Sequence, residues 1–101
     1  MQYLGGIHGA GALQAGDKTL ARADFDFDGY LMKPGQVTSC GEIRMAPEAL
    51  REVFGRKDLS LLTDDGRLLS IQFSEKRLRA ASNAAHVNVA GDLPIASEWR
   101  H

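Results

Sequence analysis

The segment closest to a ligand-binding pattern is Asp24-Phe25-Asp26-Phe27-Asp28-Gly29. Carboxylates two residues apart and a following glycine are used in the first half of a calcium-binding loop. The second half is missing, because Gly35 stands at the twelfth position, where a bidentate glutamate is needed. The phenylalanines between the aspartates alternate as in a half-buried strand. We therefore predict a solvated acidic strand face here and no metal site.

A thiolate–imidazole pair is the second chemistry that the residue types allow. Cys40 is the only cysteine, and His8 and His86 are imidazoles that could activate its thiolate. A lone cysteine forms no disulfide within the chain, and the three histidines lack metal-ligand spacing. A small enzyme with a site dispersed over these residues is one hypothesis. No cofactor is predicted, and no catalytic residue is assigned.

A cluster of cations formed by Lys76, Arg77 and Arg79 supports a different hypothesis. Basic loops beside exposed aromatic rings bind single-stranded nucleic acid through phosphate contacts and base stacking. A solubilising loop is the ordinary alternative. The candidate binding residues for a nucleic acid or nucleotide are Tyr30, Arg67, Lys76, Arg77, Arg79 and His86.

The end of the chain carries its only tryptophan, Trp99. An exposed indole is costly unless it docks on an apolar surface. Docking on its own domain is one prediction. A contact between subunits of a homo-oligomer, anchored by Trp99, is the other.

Composition excludes several classes of protein. The chain has 101 residues, of which 44% are hydrophobic and 25% are charged, as in an ordinary globular domain rather than a disordered chain. Twelve Lys and Arg against thirteen Asp and Glu give a net charge of -1, without the basic excess of a duplex-DNA binder. The start of the chain shows no leader pattern, and no apolar run approaches the ~18 residues of a membrane span. We expect a cytoplasmic protein with no membrane partner.

Glycine-punctuated apolar stretches predict a mostly-β protein with one short helix. Alternation is clearest in the second strand, where alanine and phenylalanine side chains share one face and charged side chains the other. A proline, an early glutamate and an apolar stripe predict the helix near residues 46–54. The predicted strands span residues 10–15, 19–31, 36–45, 58–63, 67–74 and 84–90.

The fourth and fifth strands allow their register to be predicted. A three-residue loop, Asp64-Asp65-Gly66, sets Leu61 opposite Leu69 and Leu59 opposite Ile71. These side chains then share one apolar face, whereas a two-residue loop would leave Ser60 opposite Ile71. This loop requires Gly66 to adopt the left-handed conformation.

A six-stranded antiparallel meander with one helix must cover its apolar face. Closure into a small barrel or barrel-like sheet, with the helix between the third and fourth strands at one end, is the predicted solution. The layout resembles that of the oligonucleotide-binding barrels, although this chain has six predicted strands where that fold has five. We predict a flexible arm at residues 1–9, one domain at residues 10–94 and a tail at residues 95–101.

The absence of an acid–base, nucleophile or metal pattern favours a binding or interaction module without catalytic machinery. A homo-oligomer is the expected state, and the partner is a protein or a small molecule. A nucleic-acid-binding barrel and a small enzyme are the alternatives. A deep pocket that gathers His8, Cys40 and His86 would favour the enzyme, and a flat basic face with Tyr30 exposed would favour nucleic acid.

Overall fold

The computed structural model describes residues 1–33, 35–79 and 81–99. Within these residues the chain forms six strands, one α-helix and one 3-10 turn. In chain order they are β1 Gln2–Ala15, β2 Lys18–Lys33, β3 Gln36–Arg44, α1 Pro47–Val53, β4 Leu59–Thr63, β5 Leu68–Phe73, β6 Ala84–Gly91 and the 3-10 turn Ala96–Glu98. The bounds of β2 to β6 agree with the predicted strands to within two residues.

The six strands close into a barrel-like ring in the order β1-β2-β3-β6-β5-β4, and every neighbouring pair is antiparallel. This confirms the predicted mostly-β fold class, with six antiparallel strands in a barrel-like ring and one short helix between the third and fourth strands. The predicted single meander is wrong, because β3 pairs with β6 rather than with β4. Each half of the chain is a three-stranded meander. The halves join through β3 with β6 and β1 with β4, so the chain crosses over once, between β3 and β4. The helix α1 occupies that crossover.

Side chains alternate between the inside and the outside of the ring, as the pleat of a strand requires. In β2, Ala23, Phe25 and Phe27 are buried, whereas Arg22, Asp24 and Asp26 are exposed. The inward side chains of all six strands form one core with Leu50 and Val53 of α1. The fully buried members of this core are Leu13, Phe27, Ile43, Leu50, Leu61, Leu69, Ile71 and Val87.

The helix α1 is short, so its stability comes from packing rather than from its own hydrogen bonds. Pro47 stands in its first turn and Glu48 lies near its positive end, as expected from the sequence. Leu50 and Val53 face the core and close the end of the ring where β3 ends. None of the described helices is long and apolar enough to cross a membrane.

The β4–β5 hairpin has the predicted register and loop. Leu59 pairs with Ile71, and Leu61 pairs with Leu69. Gly66 has a φ of 96°, in the left-handed region that the three-residue loop requires. The apolar side chains therefore share the inner face, as the sequence pattern indicated.

Two inward-facing glycines let neighbouring strands approach more closely than a side chain would allow. A Cβ atom on Gly41 would lie 2.2 Å from the carbonyl oxygen of Asp26, and one on Gly11 would lie 2.5 Å from that of Leu62. Both contacts are with backbone atoms, which cannot move aside without disturbing the ring. A small barrel needs such sharp bends to close, and glycine supplies them.

We predict that Gly41→Ala destabilises the fold by about 2 kcal/mol, because the methyl group overpacks the β2–β3 contact. Gly9→Ala is the matched control, since its Cβ would meet only the ring of Phe25 at an ordinary 3.4 Å. Urea denaturation measures both free energies of unfolding. Equal stabilities for the two variants would contradict the role assigned to Gly41.

The long β1–β2 hairpin continues beyond the closed ring. β1 pairs with β4 only through residues 11–15, and β3 pairs with β6 only through residues 39–44. The strands beyond these pairings form what we call the extension: residues 2–9 of β1, 26–33 of β2 and 36–38 of β3. It gives the molecule a long axis of 39 Å, against 26 and 21 Å in the other directions.

The predicted arm at residues 1–9 is wrong, because residues 2–9 are the first half of β1. Ile7 pairs with Phe27, His8 with Asp26 and Gly9 with Phe25. A shift of register between Tyr3 and Gly5 marks a bulge, at which Gly5 has a φ of 129°. The glycines hide the strand pattern in the sequence, but the long partner strand β2 supplies hydrogen bonds along the whole of β1.

Candidate interaction site

One side of β1 has no strand beside it where the extension begins. The amide nitrogen of Asp64 donates to the carbonyl oxygen of Ala10 at 2.9 Å, and this bond ends the contact of β1 with the β4–β5 hairpin. Successive residues of an antiparallel strand direct their backbone groups to opposite sides. Gly6 and His8 therefore direct theirs to the same side as Ala10, away from β2. We call this side of residues 5–9 the free edge; no strand of the described chain pairs with it.

A groove of about 490 Å³ runs along the free edge. Residues 6–10 of β1 form one wall, and residues 63–65 with Arg67 of the hairpin form another. Pro94 and Glu98 of the C-terminal segment close it, and Phe25 lines its floor. The groove therefore combines unpaired backbone groups, an apolar floor and a polar rim.

The hairpin wall is held over β1 by an ion pair that reaches across the strand. Arg22 of β2 donates to both carboxylate oxygens of Asp64, at 2.9 and 2.8 Å. This pairing lowers the pKa of Asp64 and raises that of Arg22, because the hydrogen bonds between the two side chains, and then their opposite charges, stabilise both ionised forms. Both side chains are more than half exposed, so the pair contributes modestly to stability. Its main effect is to fix the hairpin turn beside the free edge.

Arg67, a predicted binding residue, lines the groove and joins the hairpin to the C-terminal segment. One guanidinium nitrogen donates to the carbonyl oxygen of Asp92 at 3.3 Å, and another lies 3.7 Å from the carboxylate of Glu98. The same carboxylate oxygen of Glu98 accepts from the amide nitrogen of Ile95 at 3.0 Å. These contacts hold the wall that contains Pro94.

Trp99 is buried within its own chain, with 5% of its surface exposed. Its indole nitrogen donates to the carbonyl oxygen of Pro94 at 3.0 Å. The ring lies on Gly29, where an added Cβ atom would be only 2.5 Å from the indole. The subunit contact predicted for Trp99 is therefore replaced by docking on the extension. Arg100 and His101 of the predicted tail lie outside the described residues.

We predict that Gly29→Ala displaces the indole and shifts the emission of Trp99 to longer wavelength, with a loss of about 2 kcal/mol in stability from overpacking. The chain has a single tryptophan, so the signal has one source. Gly6→Ala is the control, because its Cβ would meet nothing closer than 3.4 Å. An unchanged spectrum for Gly29→Ala would refute the stacking of Trp99 on Gly29.

The acidic face predicted for β2 lies on the outside of the ring. We use the name acidic face for Asp24, Asp26 and Asp28 of β2 together with Glu42 of β3. Across the strands, His8 lies opposite Asp26, Asp26 opposite Glu42, and Glu42 opposite His86. Within the described residues, no group of three or more His, Cys, Asp or Glu is arranged to hold a metal ion.

Tyr30 lies on the same outer surface and is half-buried rather than exposed. Its ring centroid is 5.6 Å from that of Tyr3 across the β1–β2 pair. The hydroxyl of Tyr3 donates to the carboxylate of Asp28 at 3.0 Å, and this hydrogen bond raises the pKa of Tyr3. Tyr30 therefore stands beside a carboxylate and a second aromatic ring.

Of the three residues in the small-enzyme hypothesis, Cys40 and His86 come together and His8 does not. Cys40 and His86 line an open depression of about 440 Å³ on the acidic face. His8 lies three strand spacings from His86, about 14 Å away, and lines the groove instead. Nδ1 of His86 is 2.6 Å from the hydroxyl of Ser74, which also donates to the carbonyl oxygen of His86 at 3.1 Å. These bonds fix the orientation of the imidazole.

The basic cluster of Lys76, Arg77 and Arg79 lies in the exposed connection between β5 and β6. Arg67 precedes β5 and the cluster follows it, so the two are separated by the length of that strand, roughly 20 Å. Tyr30 lies on the extension, away from both. Tyr30 and His86 line one depression on the acidic face, but the structure does not bring the six predicted binding residues into one surface.

The free edge is a feature that the sequence analysis missed. Its backbone groups carry no residue signature, and Gly5, Gly6 and Gly9 weaken the alternation by which a strand is recognised. One signal of a strand was present in the sequence: Ile7, Gly9, Gly11 and Leu13 are spaced two residues apart and so fall on one face, with His8 on the other. The same stretch has no Asp, Glu, Lys or Arg before Asp17.

No family model matches the chain, and neither the curated proteins nor the solved structures include a significant match.

We predict that Asp64→Asn lowers the melting temperature slightly at neutral pH and that the difference from the parent narrows as the pH falls. The pKa of Asp64 is lowered in the folded state, so its stabilisation is complete above the unfolded value of about 4 and is lost as the pH falls through the folded value. Asp17→Asn is the control, since Asp17 is an exposed turn residue without a described partner. A difference that persists unchanged at pH ~3 would contradict the ion pair.

Proposed function

We propose that this protein is a non-enzymatic interaction module that binds an extended polypeptide segment by strand addition at the free edge. The observation that carries the proposal is the row of outward backbone groups at Gly6 and His8, which no described strand satisfies. An added strand would accept hydrogen bonds from these amides and donate to these carbonyl oxygens.

The absence of edge protection supports this proposal. Proteins usually guard exposed strand edges with proline or with charged residues, especially lysine. Residues 1–16 contain no Asp, Glu, Lys, Arg or Pro, although 25% of the whole chain is charged. The bulge at Leu4 lies at the far end of the strand and leaves residues 5–9 regular. An unguarded edge of this kind is suited to a bound strand.

The groove supplies what a bound strand needs for its side chains. Alternate residues of the strand would point into the groove, over Phe25 and the half-buried Ile7. The others would point outward, level with His8. The floor therefore selects an apolar residue, and Asp65, Arg67 and Glu98 form a polar rim beside it. Main-chain bonds would supply affinity and the floor would supply selectivity.

The two alternatives have less support from the described geometry. Nucleic-acid binding rests on the basic cluster alone, since Tyr30 stands on the acidic face and Arg67 lies at the other end of β5. An enzyme rests on Cys40 and His86 in an open depression, without His8. Neither arrangement combines an enclosed site with an activated group.

The test is selection from a displayed library of random peptides roughly ten residues long, followed by affinity measurements on two variants. His8→Pro removes the amide donor from the free edge, where proline is tolerated in an edge strand. His8→Ala removes the imidazole and keeps the amide. We expect His8→Ala to retain the affinity of the parent for selected peptides. His8→Pro should bind them at least about tenfold more weakly, which corresponds to the loss of one hydrogen bond.

Melting temperatures of the two variants control for damage to the fold. The proposal fails if the library yields no peptide that binds the parent. It also fails if the selected peptides bind His8→Pro as tightly as His8→Ala.

A further inference from the structure

We infer that the strand bound at the free edge is β1 of a second copy of this chain, which makes the protein a two-fold symmetric dimer. This inference rests on the proposed strand-addition surface and names its occupant. The geometry of the edge, its lack of charge and the fit of Ile7 to the groove all favour a second copy.

An antiparallel strand pair is self-complementary, because each residue of a bonded pair both donates and accepts. Gly6 and His8 are the residues whose backbone groups point outward. Pairing Gly6 of one copy with His8 of the other, and the reverse, satisfies all four groups on both chains. This pairing places the two-fold axis at Ile7.

The extent of the pairing is limited by the hairpin. The amide nitrogen of Asp64 already occupies the carbonyl oxygen of Ala10, so no second strand can pair there. Five residues of each copy, 5–9, then lie opposite one another. Such a small interface predicts a weak, concentration-dependent dimer rather than an obligate one.

Charge favours a second copy over a charged peptide. A two-fold axis places identical residues near each other, so charged residues at the edge would repel. Residues 1–16 carry no Asp, Glu, Lys or Arg, and this repulsion is absent. The carboxylates on the groove walls are already engaged: Asp64 with Arg22, Asp65 with Thr63, and Glu98 with Arg67.

Ile7 fits the apolar part of the groove. It is half-buried, faces inward opposite Phe27 and lines the groove together with Phe25 and Pro94. With the axis at Ile7, the isoleucine of the second copy stands directly opposite in a non-hydrogen-bonded pair, where side chains are closest. Each copy then contributes one aliphatic side chain to a shared apolar floor.

Sedimentation velocity over a roughly hundredfold range of protein concentration tests the dimer. Gly6→Lys adds a like charge to each copy beside the axis, in the manner by which natural edges are protected. Gly6→Ala is the matched control; its Cβ would meet the carbonyl oxygen of Phe27 at 3.4 Å and the carboxylate of Asp28 at 3.8 Å. We expect the parent and Gly6→Ala to dimerise equally, and Gly6→Lys to dimerise at least about tenfold more weakly.

The register is tested by an Ile7→Cys variant in a Cys40→Ser background. Opposed residues of a non-hydrogen-bonded pair lie within disulfide reach, so oxidation should yield covalent dimers. Leu62→Cys in the same background is the control, since Leu62 is exposed on β4 and lies off the axis. Equal cross-linking of the two variants would overturn the register.

The outcomes separate this inference from the proposed function. A parent that stays monomeric at every concentration, yet binds selected peptides in a His8-dependent manner, overturns the dimer and leaves strand addition intact. A dimer that persists in both Gly6→Lys and His8→Pro uses another surface and overturns the inference. Loss of the dimer in both variants, with Gly6→Ala and His8→Ala unaffected, supports it.

Discussion

The unequal lengths of the strands are the constraint on which the rest of this structure depends. β1 and β2 have 14 and 16 residues, whereas β4 and β5 have five and six. The backbone groups of a strand pair with a neighbouring strand where one is present and with water where none is. The short β4 pairs with one third of β1, so the remainder pairs with β2 on one side and with no described strand on the other. The ring, the extension and the free edge all follow from this difference.

Glycines serve two different purposes in the strands β1 to β3. Gly11 and Gly41 let backbones approach closely enough for the ring to bend, and Gly29 receives the indole of Trp99 where the ring has ended. The C-terminal segment thus covers the inner face of the extension, which would otherwise expose apolar surface. Arg67 and Glu98 then tie this cover to the hairpin. The groove lies where the β4–β5 hairpin and the C-terminal segment meet beside the free edge, and neither of them adds a strand to that edge.

The proposed binding surface is made of backbone rather than of reactive side chains. The residues most suggestive of chemistry do not converge on it. The carboxylates of the acidic face alternate outward because the phenylalanines between them fill the core, and Arg22 and Arg67 hold walls in place. Of these residues only His8 belongs to the proposed binding surface, and it does so through its backbone: its amide lies on the free edge, whereas its imidazole lies on the outer surface. Strand addition needs only such a row of amides and carbonyl oxygens, with a place for alternate side chains.

The sequence by itself determined the elements whose patterns are local. Alternation in β2, the proline and apolar stripe of α1, and the loop chemistry of Asp64-Asp65-Gly66 each fixed a structure from nearby residues, including the Leu61–Leu69 register. The strand order, the first half of β1, the docking of Trp99 and the free edge were decided only by tertiary structure. Glycine carries no side chain to show which face it occupies, and backbone groups are the same in every residue. Whether such groups are satisfied depends on where distant strands end, and only the folded chain brings those ends together.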